Sequence, residues 1–383
     1  MNDVIIFGGN HYNALGLART LGLNDIHPYG VLTTTDLDPH NNFSCYSKYW
    51  KGYHLVRDEK EGLEYILNHF TGFKEKPVIM PSSDGAAVII DQNLNRLKDD
   101  FYVPSINETQ NAIADLMDKY RQNQWASQLG LKVAKTWLID FNEGNYTLPD
   151  ITFPCILKPV LSPEGKKSDI KKCENAQEVC AHIDYLKKHH YHRILIQEFL
   201  KKDYEVELFG CILKNNDNIP FILSKHLREW PLVGGSVCCH EFIMDENKRR
   251  EAKKILHKIK KYGYVGNIDI ELFSINGEYY LNEVNFRNSG DVYACIPNKL
   301  FYPFYHYLDI TGQSTDGISL EYTNKYYAMN EISDLRYVRS HIMPLYKWMG
   351  YLLKCRGFAY YDKSDVMPAI VRNHLALKAR FRK

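Results

Sequence analysis

Residues 266–291 read GNIDIELFSINGEYYLNEVNFRNSGD, and this stretch decides the fold. Ile268, Ile270 and Leu272 alternate with Asp269 and Glu271, the two-residue period of a strand. Ile275 to Glu278 reads as a hairpin turn. On the returning strand Tyr280, Asn282, Val284 and Phe286 share one face, and Leu281, Glu283, Asn285 and Arg287 share the other. Glu271, Glu283, Asn285 and Arg287 are therefore expected on one sheet surface. Two carboxylates and an amide are hard oxygen ligands of the kind that hold Mg²⁺ with substrate phosphates. A guanidinium beside them suits a developing anionic charge. An amphipathic hairpin with a solvated polar face would alternate in the same way, so residues upstream must decide.

The bulk numbers set bounds. With 383 residues, 45% of them hydrophobic, the chain can bury two or three cores. A formal net charge of +2 gives no reason to expect nucleic acid. Nine cysteines without C-x-x-C spacing, and no signal peptide, read as reduced thiols and a cytoplasmic location. No apolar run is long enough for a spanning helix. The 28 tyrosines read as packing, not as a site.

The chain opens with an apolar strand (Val4, Ile5, Ile6, Phe7), a glycine turn at Gly8 and Gly9, and a helical pattern of Ala14, Leu17, Ala18 and Leu21. That is the start of a doubly wound α/β unit. The glycines do not form G-x-G-x-x-G, so a dinucleotide site is not indicated, although Gly9 and the loop at 82–84 can line a crevice at the strand ends. Helices follow over 112–130, broken near Asp118 and Lys119. Strands are expected at 134–139, 155–159, 169–173 and 194–197 around a helix near 175–188, an α+β unit. Further strands at 206–213 and 221–223, then a basic amphipathic helix at Glu246–Tyr262, lead into the hairpin.

Lys158 ends the apolar strand FPCILKP, where an ammonium shielded by apolar neighbours suits phosphate oxygens. Residues 194–200, ILIQEFL, run out of a strand. Backbone groups there can read an adenine edge, with Phe199 and Leu200 beside an apolar slot, and Glu205 follows where a carboxylate can accept from ribose hydroxyls. Lys119 after its helix break, Lys158, the strand Gln197, Glu198, Phe199 and Leu200, then Glu205, Glu271, Glu283, Asn285 and Arg287: this order resembles the ATP-grasp superfamily over roughly residues 1–292. The resemblance is nearest to the carbamoyl phosphate synthetase, biotin carboxylase and D-aspartate ligase branches.

The resemblance implies an ATP-grasp fold, α/β and α+β, behind an N-terminal Rossmann-like domain. Its implied segments are 1–110 for that domain, 111–200 for a lid with leading helices, 201–310 for the metal-bearing part, and 311–383 for a basic, Tyr-rich extension. It implies ATP with Mg²⁺ (or Mn²⁺) as cofactors. Lys119 and Lys158 then contact the phosphates, Glu198 and Leu200 the adenine, and Glu205 the ribose. Glu271, Glu283 and Asn285 are the implied metal ligands, and Arg287 steadies a phosphorylated intermediate. The implied reaction joins a carboxylate to an amine through an acyl phosphate, on an amino-acid or cell-envelope precursor. A carboxyphosphate-forming enzyme like carbamoyl phosphate synthetase and a non-catalytic ATP-binding regulator are the alternatives. One departure stands out. The loop 161–168, LSPEGKKS, carries one glycine where many relatives have several, so backbone donors of a glycine run are partly replaced by Ser162, Ser168 and the ammonium groups of Lys166 or Lys167.

Two more segments carry expectations. Lys225, Arg228, Gly234, Gly235 and Ser236 combine positive charge with a backbone that a ligand can approach closely, a place for a substrate carboxylate or an ordinary glycine turn. Asn288, Ser289 and Asp291 can face the same cavity. From Arg336 onward the only acids are Asp362 and Asp365. Leu345, Trp348, Met349 and Leu352 recur there at helical spacing. This reads either as core packing with a solvated basic face or as a peripheral contact with anionic lipid or a lipid-linked acceptor.

Overall fold

The computed structural model describes residues 1–143, 148–160, 169–232, 234–315, 318 and 320–381. The chain forms two compact units. One comprises Met1–Ala114, Val206–Ile270 and Asn285–Lys383, and the other Asp115–Glu205 with Glu271–Val284. They do not follow the four consecutive segments expected from the sequence, because strand pairing joins stretches far apart in the chain.

The larger unit begins with four parallel strands, β1 (Val4–Gly9), β2 (Tyr29–Thr33), β3 (Gly52–Val56) and β4 (Val78–Pro81), in the order β3-β2-β1-β4. A parallel sheet is covered on both faces, so β1 and β4 are apolar, while β3 at the sheet edge leaves Tyr53 and His54 exposed. Ile5 and Phe7 pack with Leu63, Ile66 and Ile90, while Val4 and Ile6 pack with Leu17 and Leu21. This is the doubly wound start that the sequence implies. The short β5 (Ser105–Ile106) pairs elsewhere, with Tyr264 and Val265.

In the smaller unit β6 (Thr136–Asp140), β7 (Cys155–Pro159), β8 (Lys171–Cys173) and β9 (Arg193–Glu198) form an antiparallel sheet in the order β6-β9-β7-β8. The helix Ala176–Lys188 packs Val179 and Ile183 with Leu157, Ile194 and Ile196. Its start is fixed by Asn175 as the N-cap and by Glu178 reaching back to the residue before that cap. The Glu178 N–H donates to Asn175 Oδ1 at 3.0 Å, and the Glu174 N–H donates to Glu178 Oε2 at 3.0 Å. The loop 161–168, with Ser162, Lys166, Lys167 and Ser168, lies outside the described residues.

The remaining strands are β10 (Tyr204–Ile212), β11 (Phe221–Trp230), β12 (Ser236–Phe242), β13 (Tyr264–Ile275), β14 (Glu278–Asn285), β15 (Tyr327–Met329) and β16 (Cys355–Phe358). In the larger unit the first part of β13, then β10, β11, β12, β15 and β16 are successive neighbours, and in the smaller unit β14 returns beside the second part of β13 as an end strand. The turn is as expected. Asn276 and Gly277 have φ of 50° and 83°, the left-handed pair that a two-residue hairpin requires.

Two expectations are corrected. The strand read at 221–223 continues to Trp230. Its outer half looks polar in sequence because Lys225, His226, Arg228 and Glu229 meet partners, not water. The C-terminal segment is also less separate than an extension: β15 and β16 belong to the sheet. Arg19 Nε donates to Asp365 Oδ2 at 3.0 Å with both side chains almost fully buried. All nine cysteines are free thiols, and only Cys180 is exposed. Among the described residues no helix is long and apolar enough to cross a membrane.

Candidate functional site

In the smaller unit the helix Lys119–Gln128 starts where the sequence breaks, because Asp118 caps it. Asp118 Oδ1 accepts from the N–H groups of Tyr120 (2.9 Å) and Arg121 (3.1 Å), and its Oδ2 accepts from Arg193 Nη2 at 3.0 Å. Lys119 is thereby held at the first helical position, and its Nζ lies 3.3 Å from Glu283 Oε2. Lys158, at the end of β7, has its ammonium pKa lowered to about 8. Burial is the main cause and repulsion by Lys119 adds to it, while Glu283 and Glu271 oppose the shift. Two lysines and two acids, drawn from a helix start, a strand end and both arms of a hairpin, thus form one electrostatic cluster.

The expectation that Glu271 shares a sheet face with Glu283 is corrected. Glu271 meets Asn282 instead, whose Nδ2 donates to Glu271 Oε2 at 3.0 Å. A two-residue turn sets residues 275 and 278 opposite each other, and counting back along both arms brings 271 opposite 282.

Gln122 escaped the sequence reading. It is buried, and its Nε2 donates to Val284 O at 2.8 Å and to Leu116 O at 2.9 Å, while its Oε1 accepts from Val284 N at 2.8 Å. One amide thus ties the helix that carries Lys119 to the strand residue after Glu283. The only available signal was its place one helical turn after Lys119.

The expected hinge is more engaged than the sequence implies. The Glu198 N–H donates to Lys135 O and the Phe199 N–H to Pro154 O, each at 2.9 Å, while Gln197 Nε2 donates to Thr136 Oγ1 at 2.9 Å. Phe199 is exposed with the Lys172 ammonium over its ring, so it does not line a closed apolar slot. Leu200 is half-buried. Glu205 pairs with Lys202.

In the larger unit Asn285 ends β14 and is buried. Arg287 Nε donates to Asp84 Oδ1 at 2.9 Å. Its Nη1 donates to Asp269 Oδ2 at 2.5 Å and to Asn288 O at 3.0 Å. Burial alone would favour the neutral guanidine, but Asp84 and Asp269 outweigh it and raise the pKa further. His11 is held neutral, its pKa lowered to about 4 by burial and by Arg287. Asp291 is pushed up to about 7, first by burial and then by Asp269. Its neighbour Asn288 serves packing: Nδ2 donates to Asn13 Oδ1 at 2.5 Å, and Oδ1 accepts from Tyr302 at 2.8 Å.

Beside these groups His226 sits between two acids, Nε2 at 2.9 Å from Glu207 and Nδ1 at 3.0 Å from Glu229. Burial lowers its pKa, but the hydrogen bonds to Glu207 and Glu229 win and push it up to about 10. A folded pKa above the unfolded value of about 6.5 gives stability that is full below pH ~6.5 and lost as pH rises through ~10. Denaturant titrations of wild type and His226→Asn should converge over that window. The expected relative slope is about 1.4 kcal/mol per pH unit for one proton, and a constant gap would remove the charge from His226.

Arg228 is not available for a substrate carboxylate. Its Nε and Nη2 donate to Asp334 at 2.7 and 3.0 Å, and its guanidinium stacks over Tyr351. Its partner lies 106 residues on, beyond the reach of local pattern. Arg228→Ala leaves the buried Asp334 carboxylate without its counter-charge, which should cost about 3–5 kcal/mol. A lowered melting temperature with unchanged KM in the folded fraction is the expected result, and a raised KM at unchanged stability would restore the substrate role. Gly235 also has a structural reason, since a Cβ there would collide with the Pro231 carbonyl. Lys225 is half-buried on β11, and Gly234 and Ser236 are exposed.

The family model described as ATP-grasp domain matches residues 124–294. The chain is 24% identical over 180 residues to N5-carboxyaminoimidazole ribonucleotide synthase of Haemophilus influenzae, covering 46% of this chain and 48% of that protein. It is 24% identical over 271 residues to a formate-dependent phosphoribosylglycinamide formyltransferase of Wolinella succinogenes, covering 67% and 64%. The chain thus spans about half to two thirds of the length of these relatives. Among solved structures, N5-carboxyaminoimidazole synthetase from Staphylococcus aureus complexed with ADP superposes with a TM-score of 0.66 at 19% identity, covering 89% of this chain and 86% of that one. An L-amino acid ligase from Bacillus licheniformis gives 0.62 at 11% identity, covering 86% and 82%.

Proposed function

We propose, from the match of residues 124–294 to the ATP-grasp domain model, that this chain is an ATP- and Mg²⁺-dependent ligase that joins a carboxylate to an amine. The observation that carries the reading is the cluster of Lys119, Lys158, Glu271 and Glu283. Such a set suits triphosphate oxygens bridged to divalent metal. Lys119 and Lys158 hold the phosphates. The adenine edge uses the Glu198 carbonyl and the Leu200 N–H, because the amides of Glu198 and Phe199 already have partners. Glu205 receives the ribose.

Glu271, Glu283 and Asn285 fit a hard divalent ion by their chemistry, two carboxylates and an amide oxygen, with Mn²⁺ as the substitute. The ion supplies charge neutralisation at the phosphates. In the first step a substrate carboxylate oxygen bonds to the γ-phosphorus and the bond to the β-phosphate bridging oxygen breaks, releasing ADP. Arg287 faces the charge of the resulting acyl phosphate. An amine nitrogen then attacks the acyl carbon, the C–O bond to phosphate breaks, and the nitrogen loses a proton. An amino-acid or cell-envelope precursor is the substrate class we infer.

One observation favours a second reading: the names of several relatives denote a carboxylated amine, a product that bicarbonate as the acid would give. Hydroxylamine trapping of the acyl phosphate separates them. Trapping with organic carboxylates supports the amide ligase, ATP turnover with bicarbonate alone supports carboxyphosphate, and neither leaves a regulator that only binds ATP.

Lys158→Ala removes a charge-assisted contact worth about 1.5–3 kcal/mol. ATP affinity should fall roughly ten- to a hundredfold with adenosine affinity little changed. Equal losses for both ligands would indicate a folding defect instead.

A further inference from the structure

The helix Leu345–Leu352 is fastened to its unit by one side. Trp348 is buried and its Nε1 donates to Asp334 Oδ2 at 2.9 Å, the same carboxylate that holds Arg228. With that side fixed, the opposite face is fixed too, and it is apolar. Leu345, Met349 and Leu353 succeed one another at a spacing of four, with Tyr346 alongside. They are 54%, 48%, 80% and 78% exposed, and Ile342 just before the helix is exposed as well. Exposed single apolar residues are ordinary, but five on one short helix and its flanks, held in place from behind, are not. A second stripe, Met367, Ile370 and Leu377, is exposed on the helix Met367–Phe381.

The surrounding charge selects the occupant. Between Leu335 and Tyr361 there is no acidic residue, while Arg336, Arg339, Lys347, Lys354 and Arg356 are all exposed. A second copy of this chain, paired about a two-fold axis, would set these cations against their own equivalents. An anionic lipid surface meets both demands, since cations engage headgroups while Leu, Met and Tyr side chains enter the acyl boundary.

We propose that the helix Leu345–Leu352, with its flanking residues Ile342 and Leu353, docks this protein onto anionic membrane surfaces. The proposal does not rest on the ligase reading. An enzyme placed in this way would meet acceptors that carry a lipid tail.

The test is flotation of the full chain with vesicles of phosphatidylcholine alone and of phosphatidylcholine with phosphatidylglycerol. Binding should be confined to the anionic vesicles and weaken as salt rises. The paired change Tyr346→Glu with Leu353→Glu should weaken it by at least about tenfold, with the melting temperature unchanged because both positions are exposed. Lys347→Gln with Lys354→Gln, which leaves the apolar face intact, should reduce binding to anionic vesicles as well. Absent binding, equal binding to both vesicles, or undiminished binding of the glutamate variant each overturn the proposal. So does a dimer in light scattering that the glutamate variant dissociates, which would give the face to a second copy.

Discussion

Glu283→Gln is expected to lower Mg²⁺-dependent turnover by about a thousandfold, the upper scale for loss of one group facing developing charge, while the fold survives. Glutamine matches the size of the side chain and leaves the strand intact. What it removes is a formal charge beside Lys119, 3.3 Å away, and one of the two acids whose field opposes the depression of Lys158. The metal then loses a hard anionic ligand, and the two lysines lose an acid that offsets their mutual repulsion. ATP without metal should bind the variant at least as well as wild type, because the electrostatic balance around the phosphates becomes more positive. The measurement is steady-state turnover across a Mg²⁺ titration, beside nucleotide binding in chelator. Wild-type turnover at limiting Mg²⁺ would show that Glu283 is no metal ligand.

Arg287→Lys should leave ATP affinity nearly normal while acyl-phosphate formation falls about a hundredfold. The geometry explains why a retained charge is insufficient. Arg287 reaches Asp84 through Nε and Asp269 and the Asn288 carbonyl through Nη1, so its plane is fixed by three acceptors. A lysine ammonium is a compact charge on a flexible stem and cannot reproduce that fork. Its charge would settle between the two acids, displaced from the point where anionic charge develops. An interaction stronger in the transition state than in the ground state lowers the rate without lowering nucleotide affinity. Single-turnover phosphorylation with hydroxylamine trapping is the readout. Unchanged trapping would take Arg287 out of the mechanism.

The sequence announced those parts of the molecule that local rules determine. Asn276 and Gly277 mark the hairpin, Asp118 marks the helix break beside Lys119, and the apolar run Val4 to Phe7 marks the first sheet. Long-range pairings left no such trace. Arg228 and Asp334 are 106 residues apart, and Arg287 and Asp84 are 203 apart. Each alone reads as a surface charge. His226 was hidden for the same reason, since its partner Glu207 lies on a neighbouring strand. Glu271 was placed beside Glu283 by alternation alone, whereas it meets Asn282, because faces of a hairpin follow from turn length as well as from period.

The amide of Gln122 has a consequence beyond the cluster it supports. β14 ends its sheet, and an uncovered outer strand is a template on which another chain can grow by edge-to-edge pairing. Here Val284 has both its N–H and its C=O taken by Gln122, and the Leu281 N–H donates to Lys132 O at 2.8 Å. The margin that presents Glu283 is therefore sealed against aggregation by a side chain that can both donate and accept. Glutamate at this position keeps only an acceptor and methionine offers neither strong donor nor strong acceptor, so either would reopen the margin to self-association.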